Sequence, residues 1–180
     1  QNMKIKSVKA TWIHVPIPEA EQHTSDFGVI DAFDAALVRI ETESGLVGYG
    51  EGRASVFSSG NNAPLVSLIN DDFGPALVGE NAGDPARLWE LMYNGTRAHY
   101  ALKRGRPFPA LGRRGLTIAA ISAIDMALWD ILGRSLNAPV WQLLGGLTHA
   151  KLPAYASGGW APADGIGAQL QSYIDRGGFK

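Results

Sequence analysis

The polar residues that could contact a ligand are concentrated in two segments without a regular apolar pattern. Residues 19–34 form the longer segment, and a structureless stretch of that length in a compact domain usually has a function. Its five candidate side chains are His23, Thr24, Ser25, Asp26 and Phe27. Residues 52–62 form the shorter segment, with Arg53 and Phe57 as its candidates. A solvated surface loop is the alternative interpretation of both segments.

A serine followed by two glycines is a third candidate. Ser157 precedes Gly158 and Gly159, and glycines ahead of a helix can cradle a phosphate. The surrounding residues lack the rest of a phosphate-loop pattern. From these residues alone, Ser157 is therefore predicted to form a turn; its role as a ligand contact follows from the resemblance described below.

The residue types exclude several other chemistries. The sequence contains no cysteine, which rules out thiolate nucleophiles and cysteine-based zinc sites. The four histidines have no metal-ligand spacing to one another; they are His14, His23, His99 and His149. A formal net charge of −1 gives no electrostatic reason to expect a nucleic acid partner.

Two carboxylates interrupt a long apolar run that is predicted as a helix over residues 116–132. They are Asp125 and Asp130, and so few polar residues accompany them that the helix is expected to be buried on most sides. Carboxylates in such surroundings need a partner for their charge. Both are therefore predicted to be buried and paired with an arginine rather than to be catalytic.

Three strands are predicted in the first third of the chain. They cover residues 4–15, 35–42 and 46–51, which are rich in β-branched and apolar types. Pro16 and Pro18 end the first strand because proline cannot donate to a ladder. Residues 43–45 form a tight turn between the other two. The strands are expected to form an antiparallel meander.

Helices are predicted to follow the meander. Asn62-Ala63-Pro64 and Asp84-Pro85 are typical of helix starts, with an oxygen-bearing cap beside a first-turn proline. The first helix is predicted to run to about residue 70 and the second to about residue 93.

The sequence pattern changes after residue 146. Residues 151–157 are predicted as a strand and residues 163–176 as an amphipathic helix, which together make one unit of a parallel α/β fold. A strand of a parallel sheet needs neighbours on both sides, and a single unit cannot supply them.

One long run is the most specific motif of the chain. It comprises Ala120-Ile-Ser-Ala-Ile-Asp-Met-Ala-Leu-Trp-Asp-Ile-Leu-Gly-Arg134 and, after a break, Pro139-Val-Trp-Gln-Leu-Leu-Gly145. This run closely resembles the signature helix pair of the mandelate racemase/muconate lactonizing enzyme family, within the enolase superfamily. Two shorter segments add to the resemblance. Residues 45–51 look like the family's second hairpin strand, and residues 177–180 look like the entry to its second barrel strand.

The resemblance implies a fold in two parts. Residues 3–146 are expected to be an α+β capping domain, made of the three-stranded antiparallel meander and a helical bundle. Residues 147–180 are expected to begin a (β/α)₈ TIM-type barrel, which has about 250 residues when whole, and to supply its first βα unit.

The resemblance also implies metal-dependent chemistry. Such enzymes abstract the α-proton of a carboxylate substrate with a Lys or His base, while Mg²⁺ stabilises the enediolate. The family's base lies in a Lys-x-Lys pair, which would begin three residues after Lys180. The catalytic residues and metal ligands are therefore expected outside residues 1–180.

The capping domain is expected to supply the lid that sets substrate specificity. In the family two cap loops, here residues 19–34 and 52–62, fold over the mouth of the barrel. The substrate contacts implied by the resemblance are His23, Thr24, Ser25, Asp26, Phe27, Arg53, Phe57 and Ser157. Ser157 matches the position of a substrate-binding serine in mandelate racemase.

These features predict a sugar-acid dehydratase or a 2-hydroxyacid racemase, and the polar first loop favours dehydration. A cycloisomerase or epimerase of the same superfamily is one alternative; a stand-alone, non-enzymatic α+β binding module is another. The expected partner is a small carboxylate or sugar acid. No membrane partner is expected, because no run of about 18 apolar residues is found, and no nucleic acid partner is expected. The protein is expected to be cytoplasmic and to form a homo-oligomer.

Overall fold

The computed structural model describes residues 2–25, 28–54, 60–95, 115–158 and 161–179. The strands are β1 (Ile5–Pro16), β2 (His23–Ser25), β3 (Gly28–Ile30), β4 (Ala32–Thr42) and β5 (Val47–Gly52). The α-helices are α1 (Ala63–Ser67), α2 (Gly74–Leu77), α3 (Pro85–Asn94), α4 (Leu116–Leu136), α5 (Val140–Leu143) and α6 (Ile166–Gly177).

The main sheet is the predicted antiparallel meander, with the strand order β1-β4-β5. Strand β4 alternates in burial, so that Ala36, Val38 and Ile40 face the helices. The predicted turn between β4 and β5 is confirmed, and Gly45 adopts a φ of 83° there, which a residue without a side chain takes at little cost.

The prediction that residues 19–34 are irregular was wrong. A short 3₁₀ helix spans Glu19–Glu21, β2 and β3 pair as an antiparallel hairpin, and β4 begins already at Ala32. The described side chains of β3 are exposed or half-buried. A strand without a buried face lacks the apolar alternation by which a strand is recognised in a sequence, and the prediction missed β3 for that reason.

The helix starts are correctly predicted, although their side-chain caps are not formed. Prolines occupy the first turns of α1 and α3, but neither Asn62 nor Asp84 caps its helix with its side chain. The Asn62 side chain instead bonds to Ala54 and Gly60, and the Asp84 carboxylate accepts a hydrogen bond from Asn81. Both side chains therefore form hydrogen bonds with residues that precede the helix.

The first helical segment extends beyond the predicted end at residue 70. A π-helical turn spans Leu68–Phe73 and leads directly into α2. This turn carries Asn70, whose amide donates to the Ala10 carbonyl at 3.0 Å and accepts from the Ala10 N–H at 2.7 Å. Strand β1 lies at the edge of the sheet, so the Asn70 amide occupies the hydrogen-bonding groups that a neighbouring strand would take.

Helix α4 packs unusually close to strand β5. A Cβ atom at Gly50 would overlap the Ala123 carbonyl oxygen, and one at Gly48 would overlap that of Ala127. Glycines on the strand and alanines on the helix therefore allow the two backbones to approach each other. The buried side of α4 consists of Ala120, Ile121, Ala123, Ile124, Ala127, Leu128, Ile131 and Gly133.

The prediction that α4 is buried on most sides was wrong. Its buried residues form one stripe, and on the other side Ser122 is exposed and Met126 is 46% exposed. The helix is long and apolar enough to meet the length and composition test for a membrane span. Its buried stripe belongs to the same core as the sheet, and this packing accounts for its apolar composition.

The two carboxylates of α4 have different partners. Asp130 accepts hydrogen bonds from Arg134 at 3.0 Å and from the Tyr49 N–H of edge strand β5 at 2.9 Å. The predicted arginine partner is confirmed here, although the side chain is 30% exposed rather than buried. Within the described residues the partner of Asp125 is the Trp129 indole rather than an arginine, and burial raises the pKa of Asp125 although that bond opposes the rise.

Among the described residues, those beyond residue 146 are packed less completely than those before it. The predicted strand over residues 151–157 is not formed, and the described residues contribute no ladder to it. Leu152 is 75% exposed and Tyr155 is 86% exposed. A β-strand needs a hydrogen-bonding neighbour, and this one has none among the described residues. The helix predicted over residues 163–176 is confirmed as α6.

Candidate functional site

Both predicted loops leave the main sheet at the same end. Pro16 pairs with Ala32 where the first loop begins and ends, and Gly52, where the second begins, pairs with Ala36. We call this the lid end of the sheet. Residues 17–31 are named lid 1 and residues 53–62 are named lid 2. The antiparallel register therefore brings together two segments that are distant in the sequence.

Lid 1 continues the β1–β4 hairpin. The Ile17 N–H donates to the Asp31 carbonyl at 2.7 Å, and the Gln22 side-chain amide donates to the Ile17 carbonyl at 2.9 Å. Beyond these contacts the β2–β3 hairpin forms the end of the lid. Lid 1 is therefore a hydrogen-bonded extension of the sheet.

The lid 1 candidates all belong to this outer hairpin. His23, Thr24 and Ser25 form β2 and pair with Ile30, Val29 and Gly28. Only the backbone of these three candidates is described. Asp26 and Phe27, which link β2 to β3 in the sequence, lie outside the described residues. Their roles as substrate contacts stay predictions.

The ends of lid 2 are held together by one buried side chain. Asn62 is 2% exposed; its Oδ1 atom accepts from the Ala54 N–H at 2.9 Å, and its Nδ2 atom donates to the Gly60 carbonyl at 3.1 Å. Arg53 is exposed at the start of the lid, and Phe57 lies outside the described residues. The structure thus places one of the two lid 2 candidates.

A buried carboxylate lies between the two lids. Asp34 has a side chain that is only 3% exposed, and its Oδ1 atom accepts from the Trp12 indole at 2.6 Å. The His14 Nδ1 atom lies 2.9 Å from the same oxygen. The Gly60 backbone also contributes to lowering the pKa of this carboxylate. Asp34 is thus the only strongly buried acid among the described residues of the lid end.

The hydrogen bonds keep this carboxylate ionised. Burial by itself raises the pKa of Asp34, but the donors from His14 and Trp12, together with the Gly60 backbone, outweigh it, so the pKa lies below its usual value. Donors that point at a carboxylate stabilise the charged form. Asp34 therefore remains an acceptor for Trp12 and His14 at neutral pH.

The sequence interpretation missed Asp34 because it began the second strand at Ala35. The strand begins at Ala32, which places Asp34 on the same face as Ala36 and Val38. A carboxylate at an inward position of an alternating strand requires a partner. The inward position of Asp34 in the alternating strand was therefore the signal from which this buried carboxylate could have been predicted.

An apolar groove of about 340 Å³ lies at the lid end. Among its lining residues are Ile13, Val15, Phe33, Glu51 and Arg53. Val15 and Phe33 are each about half exposed, while Arg53 and Glu51 supply both signs of charge. The groove therefore combines half-exposed apolar side chains with two charged ones.

Ser157 is exposed and belongs to no helix or strand. A Cβ atom at the following Gly158 would overlap the Tyr173 ring of α6. Close packing against that ring therefore explains the glycine without a phosphate ligand. The role of Ser157 stays a prediction.

The described residues do not form a metal centre. No group of three or more His, Asp or Glu residues within them could hold an ion. Mg²⁺ needs several oxygen ligands in near-octahedral geometry, and the carboxylate of Asp34 is already occupied by N–H donors. Among the described residues, the lid end therefore presents no set of ligands for a metal ion.

Together, the sheet, the helical layer and the two lids at one end define a capping domain. The family model described as "Mandelate racemase / muconate lactonizing enzyme, N-terminal domain" matches residues 7–145. The chain belongs to this family, within the enolase superfamily.

Known relatives share this domain. A D-galactonate dehydratase from Klebsiella pneumoniae (strain 342) is 42% identical over 134 residues, which are 72% of this chain and 30% of the relative. The chain therefore spans about a third of the length of such curated relatives.

Solved structures share the fold as well. A member of the enolase superfamily from Polaromonas sp. JS666 has a TM-score of 0.73 at 33% identity, over 97% of this chain and 42% of that one. An enolase from Bradyrhizobium, complexed with magnesium and mandelic acid, has a TM-score of 0.74 at 31% identity, over 98% and 44% of the two chains.

Proposed function

We propose that this chain is the capping domain and the barrel entry of a Mg²⁺-dependent enzyme that abstracts the α-proton of a carboxylate substrate. The observation that carries the proposal is the family match over residues 7–145, combined with two lids that leave the same end of the sheet. The assignment of residues 3–146 to the cap and 147–180 to the barrel is part of the proposal. The exposed apolar side chains beyond residue 146 support it.

The favoured activity is dehydration of a sugar acid. The D-galactonate dehydratase relative supports it, and so does the polar sequence of lid 1. Racemisation of a 2-hydroxyacid is the second candidate, supported by the relative that is complexed with magnesium and mandelic acid. Both reactions begin with the same loss of an α-proton.

The residues of this chain are proposed to select the substrate and to exclude water from it. His23, Thr24 and Ser25 would donate to and accept from substrate hydroxyl groups, and Arg53 would bind an anionic group. Asp26, Phe27 and Phe57 are proposed to complete the lids, and Ser157 to contact the substrate from the barrel. Mg²⁺, held by residues outside this chain, would neutralise the charge that develops on the substrate carboxylate.

The proposal is tested with the full-length gene product. Purified enzyme with Mg²⁺ is incubated with a panel of sugar acids and with apolar acids such as mandelate, and product formation is followed by mass spectrometry. A sugar acid is expected to lose one water, and a chelator is expected to stop the reaction. Turnover of apolar acids together with intact sugar acids would refute dehydration and favour racemisation or cycloisomerisation. An intact mass near 19.2 kDa would favour the stand-alone module.

The role of the lid is tested through Arg53. Arg53→Ala is expected to raise the KM for an anionic substrate about tenfold, which corresponds to the loss of one charged hydrogen bond. The matched control is Arg87→Ala, which removes an arginine that pairs with Glu80 within the helical layer. An equal KM for both variants would contradict the assignment of Arg53.

A further inference from the structure

Among the described residues, the helices leave part of the main sheet uncovered at the lid end. Alternate residues of a strand lie on one face, so Ala10, Trp12 and His14 share the face of β1 that is turned towards the helices, where Ala10 pairs with the buried Val38. Ala10 is buried, whereas Trp12 is 42% exposed and the His14 side chain is 56% exposed. We call the accessible part of this face, which carries Trp12 and His14, the inner surface of the lid end.

The imidazole of His14 is held on the inner surface by the buried carboxylate of Asp34. The two residues lie directly opposite each other in the strand register, and the His14 Nδ1 atom is 2.9 Å from Asp34 Oδ1. An ionised carboxylate can only accept hydrogen bonds, so the single proton of a neutral imidazole lies on Nδ1. The Nε2 atom of His14 then carries a lone pair and is an acceptor. The hydrogen bond of this ring to a described residue runs through Nδ1, which leaves Nε2 for a ligand.

We propose that His14 is a substrate-binding residue whose Nε2 atom accepts a hydrogen bond from a hydroxyl group of a sugar acid, and that Asp34 is the positioning residue that fixes the imidazole for this contact. The proposal rests on the proposed function, in which the lids cover the substrate. The position of the pair supports it, because Pro16 and Ala32, which flank lid 1, lie two residues beyond His14 and Asp34. A hydroxyl group can donate to the Nε2 lone pair, whereas the carboxylate of the substrate can only accept.

The kinetic test treats His14 and Asp34 as one unit. His14→Phe keeps a ring but removes Nε2, and Asp34→Leu keeps a branched side chain but offers the imidazole no acceptor. In the full-length enzyme, each change is expected to raise the KM of a sugar acid about tenfold, which corresponds to the loss of one hydrogen bond. The kcat should stay within about threefold, because the contact is equally present in the ground state and the transition state. The double variant should also show a rise of about tenfold, since the second change removes a contact already lost.

The matched control for the kinetics is Trp12→Phe. It removes the other side-chain donor to Asp34 and leaves the imidazole in place, so the KM should stay within about threefold of the unchanged enzyme. An unchanged KM for His14→Phe would overturn the binding role. A rise of about a hundredfold in the double variant would show independent effects and would overturn the positioning role of Asp34. An equal rise for Trp12→Phe would also overturn it, because the loss would then come from a general disturbance of the inner surface.

Binding is tested independently of turnover by chemical modification. The full-length protein with Mg²⁺ is treated with diethyl pyrocarbonate, which acylates unprotonated imidazole nitrogens, with and without each acid of the panel above. Peptide mass spectrometry then locates the modified histidines. His14 should react in the free protein, and a sugar acid should slow this reaction severalfold. The matched control is His149, which is exposed and belongs to no helix or strand, and should react equally in all samples.

Each outcome of the modification experiment decides the proposal. A reaction of His14 that no acid slows would overturn it, and so would an unreactive His14 in the free protein, since Nε2 would then be covered by the protein itself. Protection by apolar acids alone would overturn the hydroxyl partner. If the full-length protein processes none of the acids, the proposed function fails, while protection of His14 by a sugar acid still decides whether it binds one.

Discussion

Large apolar side chains are buried in the capping domain, whereas described ones beyond residue 146 are exposed. Ile124 and Leu128 of α4 are fully buried, whereas Leu152 and Tyr155 are 75% and 86% exposed. Both regions carry apolar residues with the spacing of regular elements. The cap brings a sheet and helices together within the chain, so each element covers its neighbour. Residues 147–179 contribute one segment and one helix, and a strand of a parallel sheet needs neighbours on both sides.

The largest expected effect is the difference in stability between truncating a buried leucine and truncating an exposed one. Leu128→Ala in the core should lower the free energy of unfolding by about 3 to 4 kcal/mol, because it removes buried methyl groups and leaves a cavity. Leu152→Ala should change it by less than about 0.5 kcal/mol, because the side chain is already in water. Urea denaturation of this chain measures both variants. Equal losses would mean that residues 147–179 share the core of the cap.

A second pair of variants replaces one glycine by alanine in each of the two regions. Gly50→Ala should destabilise by about 2 to 3 kcal/mol, because the new methyl group overlaps the Ala123 backbone. Gly167→Ala in α6 meets open space, and should stabilise that helix by about 0.5 kcal/mol, since alanine favours helix. The two changes are measured by thermal denaturation followed by circular dichroism. A tolerated Gly50→Ala would contradict the close helix–strand packing.

The protection of the sheet edge is tested at Asn70. Asn70→Ala removes both hydrogen bonds to Ala10 and should cost about 2 kcal/mol. Asn94→Ala is the matched control, because the Asn94 amide donates to Glu90 within its own helix and should change stability by less than about 0.5 kcal/mol. Aggregation measured by light scattering should rise only for Asn70→Ala, because it uncovers an edge strand.

The smallest expected effect on the free energy of unfolding comes from replacing Asp125. Burial raises its pKa in the folded state, so the ionised form disfavours folding. This penalty is absent below the unfolded pKa of about 3.9 and develops as the pH rises through the folded pKa. Asp125→Asn should therefore be the more stable protein at neutral pH, with the difference vanishing in acid. Denaturation midpoints across pH 3 to 7 measure it; a difference that grows towards acid would contradict the sign.

The β2–β3 hairpin and the first residues of β4 were not predicted from the sequence. The alternation of Val38, Ile40 and their neighbours indicates a half-buried strand, because one face of a sheet packs on a core. The described side chains of β3 form no buried face, so this strand leaves no apolar period in the sequence, and Asp34 was assigned to a loop. The candidates at residues 23–27 could be proposed from residue type together with the resemblance to the family. Their partners could not, since these depend on the pairing of Pro16 with Ala32.

The amino-acid sequence alone determined the meander, the helix starts at Pro64 and Pro85, and the family, because these follow from local pattern and from one specific run of residues. Tertiary structure decided which groups meet. The hydrogen bonds from Trp12 and His14 to Asp34, and those between Asn70 and Ala10, link residues far apart in the chain. Such contacts depend on strand register and helix placement, which no short stretch of sequence contains.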